Sequence, residues 1–582
     1  MVDIDISEPG GDSGSGAGPS DPSLPYFLGT RLAGLLVVLA VVYLTRPLWH
    51  GFVYSMLYSP SGLVLIGGAV VTALALWFVP PWWLGRDTPL APLMDLLFGS
   101  GGPAADSPIS GDSTSQRKLR VFAVVFGVLF ALSIVVGIPA GALEQRSLAE
   151  RTMSEATELE TFPQANPDNP RVVPREVSDV STRGSVSYRQ HRLGESDIAR
   201  QEDGSLAWSY SIQPDGPRNK LLENQRGVLV ANMTAIDDRQ TVAYDDDEFR
   251  YGQGMYLQRS ADWQLKKTDY LARYNDDAVE FTYDGTPYMY FPKTEHEWKL
   301  LPFPHTVPAW DGGALVHPDG EIEHLSPAEA QEHEILDGQR LYPLTLTRTE
   351  VGSLGYREGI INQLPVVGAH EGEIEIAGLP QGASNEQPFV IDLEGERLSY
   401  VTAMEPFGLD SRGLDEVWFA DAETGEYTYF GTDDATLTGP ERAMGIARSA
   451  DSQTNWGANF VVTEPVPVTI DGTLWWQIKV SPTDFTDITR NVFVNADTGE
   501  AVEIRGDSGV RAFIAGDIDG STSGDGNGTD SSGDGAGAES SDVAYVIVVT
   551  DEDGNVVDRV EVERGQDTRI VNPGNRTATP RP

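Results

Sequence analysis

Five of the eight histidines fall between residues 296 and 333, at His296, His305, His317, His324 and His333, with many glutamates among them. Imidazole and carboxylate are common ligands of zinc and common general bases. A metal or general-base site would therefore draw on His296, Glu297, His305 and His317. The spacing argues against it: no His-Glu-x-x-His is present, and the intervals fit no ligand pattern. His296 and His305 stand in what reads as a Pro-rich loop, residues 293–305, so the competing reading is histidines that face solvent or are hydrogen-bonded. The chain has no Cys, which removes thiolate zinc sites, disulfides and thiol nucleophiles. It also lacks the Gly-x-Ser-x-Gly elbow, the P-loop and the dinucleotide-binding glycine pattern. No cofactor and no catalysis are expected. A metal-dependent hydrolase built on the 296–333 cluster is the enzymatic alternative.

The elements that would position any site announce themselves by repetition. An Asp-Gly turn, an aromatic-rich strand and a closing Pro recur at Asp203–Pro214, Asp284–Pro292 and Asp471–Pro482, with a weaker copy at Leu393–Pro406. Asp-Gly suits a tight turn because Gly accepts positive φ and Asp tolerates it. A strand–turn–strand phrase follows each copy, at Gly313–Leu325, Val417–Phe430 and Val492–Ile504, with a degenerate version at Gly227–Tyr244. Gly320, Gly425 and Gly499 take the same turn position, each followed by Glu. The aromatic residues Tyr288, Tyr290, Trp475 and Trp476 suit a buried sheet face; an exposed groove for a peptide or glycan is the alternative. Ser326–Glu329 and Thr438–Glu441 read as capping boxes with Pro in the first turn, and a helix over Arg175–Thr182 follows Pro174. The implied unit is a short helix, an aromatic strand and a hairpin, used four times. Damage at Gly425 or Gly499 is expected to stay within its own unit, because repeat arrays couple mainly through neighbours.

The hairpins at Asp421–Glu426 and Asn495–Glu500 carry the phrase Asp/Asn-x-x-Thr-Gly-Glu. With the preceding helix and strand, this resembles the PepSY type of small α+β module. The first two units depart from it: 317–321 keeps only the end of the phrase, and the first unit lacks it. The resemblance implies an extracytoplasmic setting and a role in protein binding or protease inhibition.

Apolar runs at about Leu28–Leu48, Leu63–Trp83 and Val121–Leu143 each approach the length needed to cross a bilayer. They are apolar on all sides and hold no charged residue deep within, which disfavours a transporter or channel and fits an anchor. Trp49, Trp77, Trp82 and Trp83 lie near the run ends, as interfacial aromatics do. Arg31, Arg86, Arg117, Lys118 and Arg120 make one side richer in positive charge, which predicts that the N-terminus and residues 84–120 are cytoplasmic. Everything after about residue 147 is then extracellular, the side on which the sequons at Asn232, Asn527 and Asn575 would be reached.

Against 87 acidic residues stand 41 basic ones, a formal charge of 41 − 87 = −46, and only seven of the basic residues are Lys. Such a surface argues against a nucleic-acid partner. It resembles the composition of proteins from salt-loving archaea, where carboxylates keep a hydrated surface soluble in screening salt.

The expected fold is α+β, with three N-terminal transmembrane helices, an extracytoplasmic array of about four helix–strand–hairpin units and a C-terminal β segment. The boundaries are a disordered tail over 1–24, the anchor over 25–147, a stalk over 148–170 and units over 171–270, 271–325, 326–436 and 437–506. A flexible acidic linker over 507–542 and the β segment over 543–582 complete the chain. Part of the linker, at Asp525, Asn527, Thr529 and Asp530, imitates a calcium loop without meeting its spacing. The sequence thus describes a membrane-anchored binding or structural protein of a haloarchaeal-type envelope, with the lipid bilayer and an unidentified protein or peptide as partners. The alternative drawn from the PepSY resemblance is a regulator or inhibitor of a secreted protease.

Overall fold

The computed structural model describes residues 23–80, 114–236, 239–274, 278–364, 368–380, 386–395, 397–408, 413–432, 437–450, 454–517, 543–550 and 556–563. The chain divides into two units, Met1–Gly137 and Ile138–Pro582.

In the first unit, three helices are long and apolar enough to cross a membrane: Leu24–Leu44, Pro60–Phe78 and the apolar stretch that starts at Lys118 within the helix Thr114–Glu155. Large apolar side chains such as Val37, Val71 and Val128 face outward, where a water-soluble fold would bury many of them. The first helix ends four residues earlier than the sequence suggests. Pro47 lacks an N–H and opens a separate helix, Arg46–Leu57, as Pro does in a first turn. The second contains a π-helical turn, Leu63–Gly67, and ends at Phe78 instead of Trp83. Helix ends within this unit meet. The Trp77 indole donates to the Arg31 carbonyl at 3.2 Å, with the Arg31 guanidinium 4.4 Å from the ring centre. Lys118 Nζ donates to the carbonyls of Leu76 and Val79 at 2.5 and 2.8 Å, satisfying acceptors that a helix C-terminus leaves over.

The second unit contains four main sheets, and each follows a helix. Helix Arg175–Thr182 precedes the strands His191–Arg200, Leu206–Pro214, Val228–Asn232 and Thr241–Tyr244. Helix Ala261–Thr268 precedes Val279–Tyr283, Thr286–Lys299, His305–Val316 and Ile322–Leu325. Helix Leu344–Ser353 precedes Phe389–Leu393, Arg397–Pro406, Glu416–Asp421 and Tyr427–Gly431. Helix Pro440–Ala450 precedes Phe460–Ile470, Thr473–Pro482, Arg490–Asn495 and Ala501–Ile504. Within each set, successive strands pair antiparallel in chain order.

The turn chemistry accounts for the second and fourth meanders. Tyr283 pairs with Thr286 across Asp284-Gly285, and Ile470 with Thr473 across Asp471-Gly472. All four turn residues have positive φ, between 49° and 74°, the backbone of a two-residue hairpin that matches strand twist.

The strand before each Asp-Gly or Glu-Gly turn is one more than the sequence unit contains. The fourth-sheet example, Phe460–Ile470, holds Pro465 and Pro467, which argue against a strand in sequence. It lies at the sheet edge, where Pro is tolerated. The unit boundaries also shift. Helix Ala261–Thr268 belongs ahead of the second sheet, inside the 171–270 segment. The Ser326–Glu329 capping box forms, but its helix is a short turn, Pro327–Gln331, and Pro343 starts the longer helix ahead of the third sheet.

The 148–170 segment is not a free stalk. Thr157–Glu158 pairs in parallel with Thr428–Tyr429 at the edge of the third sheet, and Phe162 packs against Phe419 and Phe430. Asn166 and Asn169 donate to Asp392 Oδ2 at 2.9 and 2.8 Å, and Arg200 donates to Asp392 Oδ1 at 2.7 Å. Pro163, Pro167 and Pro170 suit an extended tether, yet the apolar residues around them, Phe162, Ala165, Val172 and Val173, are buried. At the other end, Val543–Thr550 joins the fourth sheet in parallel with Ala501–Ile504 and pairs antiparallel with Val556–Glu563.

Residues of the first, third and fourth sheets share one core, which includes Trp208, Tyr210, Tyr400, Trp418, Trp476 and Phe493. Two smaller clusters serve the second sheet. Coupling is therefore not confined to sequence neighbours.

Candidate functional site

The histidine cluster does not converge. Antiparallel pairing sets His296 opposite Pro308, Glu297 opposite Val307, and His305 opposite Lys299 on one long hairpin. The segment read as a loop is mostly strand, with its bend at 300–304. Consecutive residues His296 and Glu297 project to opposite faces. His305 begins its strand and His317 follows the strand's end, about 40 Å away at strand rise. Burial and the Arg273 charge push His296 down to about 4, so it is neutral near pH 7. Buried His305 has the Phe303 carbonyl 2.8 Å from Nδ1 and Ser147 Oγ 2.9 Å from Nε2. In the neutral ring Nδ1 must carry the hydrogen, because a carbonyl only accepts. His317 Nε2 lies 2.6 Å from Glu323 Oε1. Among the described residues no three metal-ligating side chains gather.

The aromatic strand residues are largely core: Tyr290, Trp475 and Trp476 are buried and Tyr288 is partly so. At the recurrent turns, two hairpins are chemically alike. Asp421 Oδ1 accepts the N–H groups of Glu423 and Thr424 at 2.9 Å each, and Thr424 Oγ1 accepts Glu426 N–H at 3.2 Å. Asn495 does the same with Asp497 and Thr498 at 2.9 Å each, and Thr498 with Glu500 at 3.2 Å. Gly425 and Gly499 have φ of 77° and 73°. Gly320 has φ 94° and a partial version, with Asp319 Oδ1 accepting Glu321 N–H. Of the sequons, Asn232 ends a strand, and its Oδ1 accepts Thr234 N–H at 2.7 Å. Asn527, Asn575 and the calcium-like residues Asp525, Thr529 and Asp530 lie outside the described residues.

The concentrated polar chemistry lies elsewhere. Glu464 and Lys479 are both fully buried on neighbouring strands of the fourth sheet. One extra residue between Thr463 and Val466 bulges the first of these strands, and Glu464 takes φ 44° there. A bulge of this kind re-aims a side chain. Glu464 thereby meets Arg171 through two hydrogen bonds, 3.0 and 3.2 Å, and accepts Arg175 N–H at 3.1 Å. Burial raises the Glu464 carboxyl, but the Arg171 and Lys479 charges outweigh it and hold the group below its ordinary value. Lys479 Nζ stands 3.9 Å from Glu464 and makes no hydrogen bond among the described residues. Burial pushes it down to about 7.

Arg171 also borders a cleft of about 380 Å³, together with Arg175, Arg340 and Arg348. The cleft opens between the first strand of the first sheet and the starts of helices Arg175–Thr182 and Leu344–Ser353. Arg340 is held by the Ile198 carbonyl and by Asp197. Glu280, from the second sheet, completes one wall. Burial, with the Asp197 charge added, raises its carboxyl well above the ordinary range, although Ser211 and Gln253 offset part of this. Burial thus favours the neutral carboxylic acid over the carboxylate at this position.

Neither the cleft nor the buried triad is marked by a motif. The available signals were Lys479 inside the strand-like segment 473–482 and Glu464 among the apolar residues of 460–470, whose two prolines conceal the strand. A charge at a core-facing strand position requires a partner, but sequence does not say which.

No family model, curated protein or solved structure matches the chain.

Proposed function

We propose that the chain is a membrane-anchored binding or scaffold protein of the cell envelope, with its β-rich unit outside the membrane. The observation that carries this reading is the joining of three apolar helices to a large body built by one plan. That plan, a helix and a four-stranded meander, is used four times, over 175–244, 261–325, 344–431 and 440–504. The same order of helix and meander around the matched turns at Gly425 and Gly499 supports repetition of a PepSY-like module. The orientation rests on charge: Arg31 and Lys118 contact the same end of the second apolar helix, Arg117 and Arg120 flank Lys118 in sequence, and Arg86 lies in the same connection between the second and third apolar runs.

Protease added to intact cells is expected to cut beyond residue 150 and to spare 84–120. Protection of the large unit, with cutting inside 84–120, would reverse the topology. The same reading carries a salt prediction. With a net charge of −46, the body is expected to lose its circular dichroism signature as salt falls from molar to roughly 0.1 M, where the screening length grows to about 10 Å. A spectrum unchanged over that range counts against a halophilic setting.

A further inference from the structure

The cleft beside Arg171 has features that the structural role of its residues leaves over. Arg175 uses Nε to donate to Ser196 at 2.8 Å, but its guanidinium makes no ion pair among the described residues. Arg348 pairs at 3.2 Å with Glu386, a side chain 85% exposed, where an ion pair contributes little. The cleft also receives the first residues of helix Leu344–Ser353, Leu344 and Thr345; helical geometry leaves their N–H groups without intrahelical acceptors. A third observation points independently to a ligand: Glu280 is 2% exposed, borders the cleft, and its Oε2 makes no hydrogen bond among the described residues. A buried polar oxygen without a partner is costly unless something fills the place opposite it.

We propose that this cleft binds the carboxylate group of a small organic acid. Arg175 and Arg348 supply planar forks that match a carboxylate, the helix start favours negative charge, and the buried, unpaired Glu280 Oε2 borders the same space, where burial favours the acid form that can donate. Inorganic phosphate presents the same acceptors, but Asp197 and Glu195 border the same cleft. They repel a dianion about twice as strongly as a monoanion. The lining arginines attract a dianion more strongly too, but Arg171, Arg340 and Arg348 already pair with Glu464, Asp197 and Glu386, so the positive charge left over, that of Arg175, matches a singly charged group. The proposal rests on reading the body as a binding protein and names the ligand chemistry.

The test uses the full-length chain in lipid nanodiscs at constant ionic strength, with acetate and propionate as probes and inorganic phosphate as the competitor, followed by saturation-transfer NMR. Saturable carboxylate binding is expected, weakened at least about tenfold in Arg175→Gln, since a charge-assisted hydrogen bond is lost. Glu280→Gln is the discriminating variant. An amide still donates, so binding is expected to stay within about twofold, whereas Glu280→Leu is expected to abolish it. Circular dichroism of each variant separates lost binding from lost folding. Absence of saturable binding in the folded wild type, equal binding in folded Arg175→Gln, loss in folded Glu280→Gln, or tighter binding of phosphate would each overturn the proposal. The protease test of topology is read separately, so an empty cleft on a correctly oriented body defeats this inference alone.

Discussion

Replacing Glu464 by Ala is expected to destabilise the body by about 3–5 kcal/mol, the range for removing one partner of a buried ion pair. That is a large share of the roughly 5–15 kcal/mol that holds a typical domain. The change leaves Arg171 without its two carboxylate hydrogen bonds and exposes Lys479, already without a hydrogen bond, to an uncompensated guanidinium. Lys479→Met provides the contrast: it removes a buried ammonium and keeps the Arg171–Glu464 pair, so it is expected to be neutral or stabilising near pH 7. The wild-type pH dependence follows with a definite sign. Lys479 binds its proton more weakly folded, about 7, than at its ordinary 10.5. Between those values the unfolded chain holds more protons, so this group makes stability rise with pH from about 7 to 10.5 and adds no slope outside that window. Urea titrations followed by Trp fluorescence, at several pH values and fixed high salt, measure all three effects. A Glu464→Ala protein within about 1 kcal/mol of wild type would show that water reaches the triad.

The second large effect separates two glycines that look equivalent in sequence. Gly499→Val places a Cβ at φ 73° with only Ile446 Cδ1 near it, at 3.5 Å, so its cost is the strained backbone, about 1–3 kcal/mol. Gly425→Val meets the same strain at φ 77° and also drives Cβ into the Tyr342 ring. That ring cannot easily yield: Tyr342 is buried, stacks edge-on against Trp310 at 5.4 Å, and donates to Glu350 at 2.7 Å. Overpacking adds about 1–3 kcal/mol. Gly425→Val is therefore expected to unfold at clearly lower urea than Gly499→Val. Equal midpoints would mean that Tyr342 gives way, and the Glu350 hydrogen bonds with it.

These two sites mark how far the sequence could be read. Local chemistry was legible: the Asp-Gly turns, the shared glycine position, the Ser326 capping box and the three apolar helices all follow from short-range rules, and the described structure contains them. Tertiary partners were not. Gly425 and Gly499 have the same φ for the same local reason, while the presence of Tyr342 against one of them depends on a helix start some eighty residues earlier. The histidines show the limit from the other side: they crowd in sequence, yet closeness along an antiparallel hairpin becomes distance along its strands. Arg175 and Glu280 carried no signal, since an Arg in a polar segment and a Glu in a short strand each have many ordinary explanations.

The pairing of Arg171 with Glu464 spans 293 residues of chain, and Asn169 reaches Asp392 across 223. A chain is synthesised from its N-terminus at roughly 5–20 residues per second. Arg171 therefore spends roughly 15–60 s made but unmatched, while the residues that will bury it do not yet exist. The segment that follows the third apolar helix is the first part of the body to appear and the last to be satisfied. A chain stopped anywhere before residue 464 leaves Arg171 without its carboxylate and the core edge beside it unfilled.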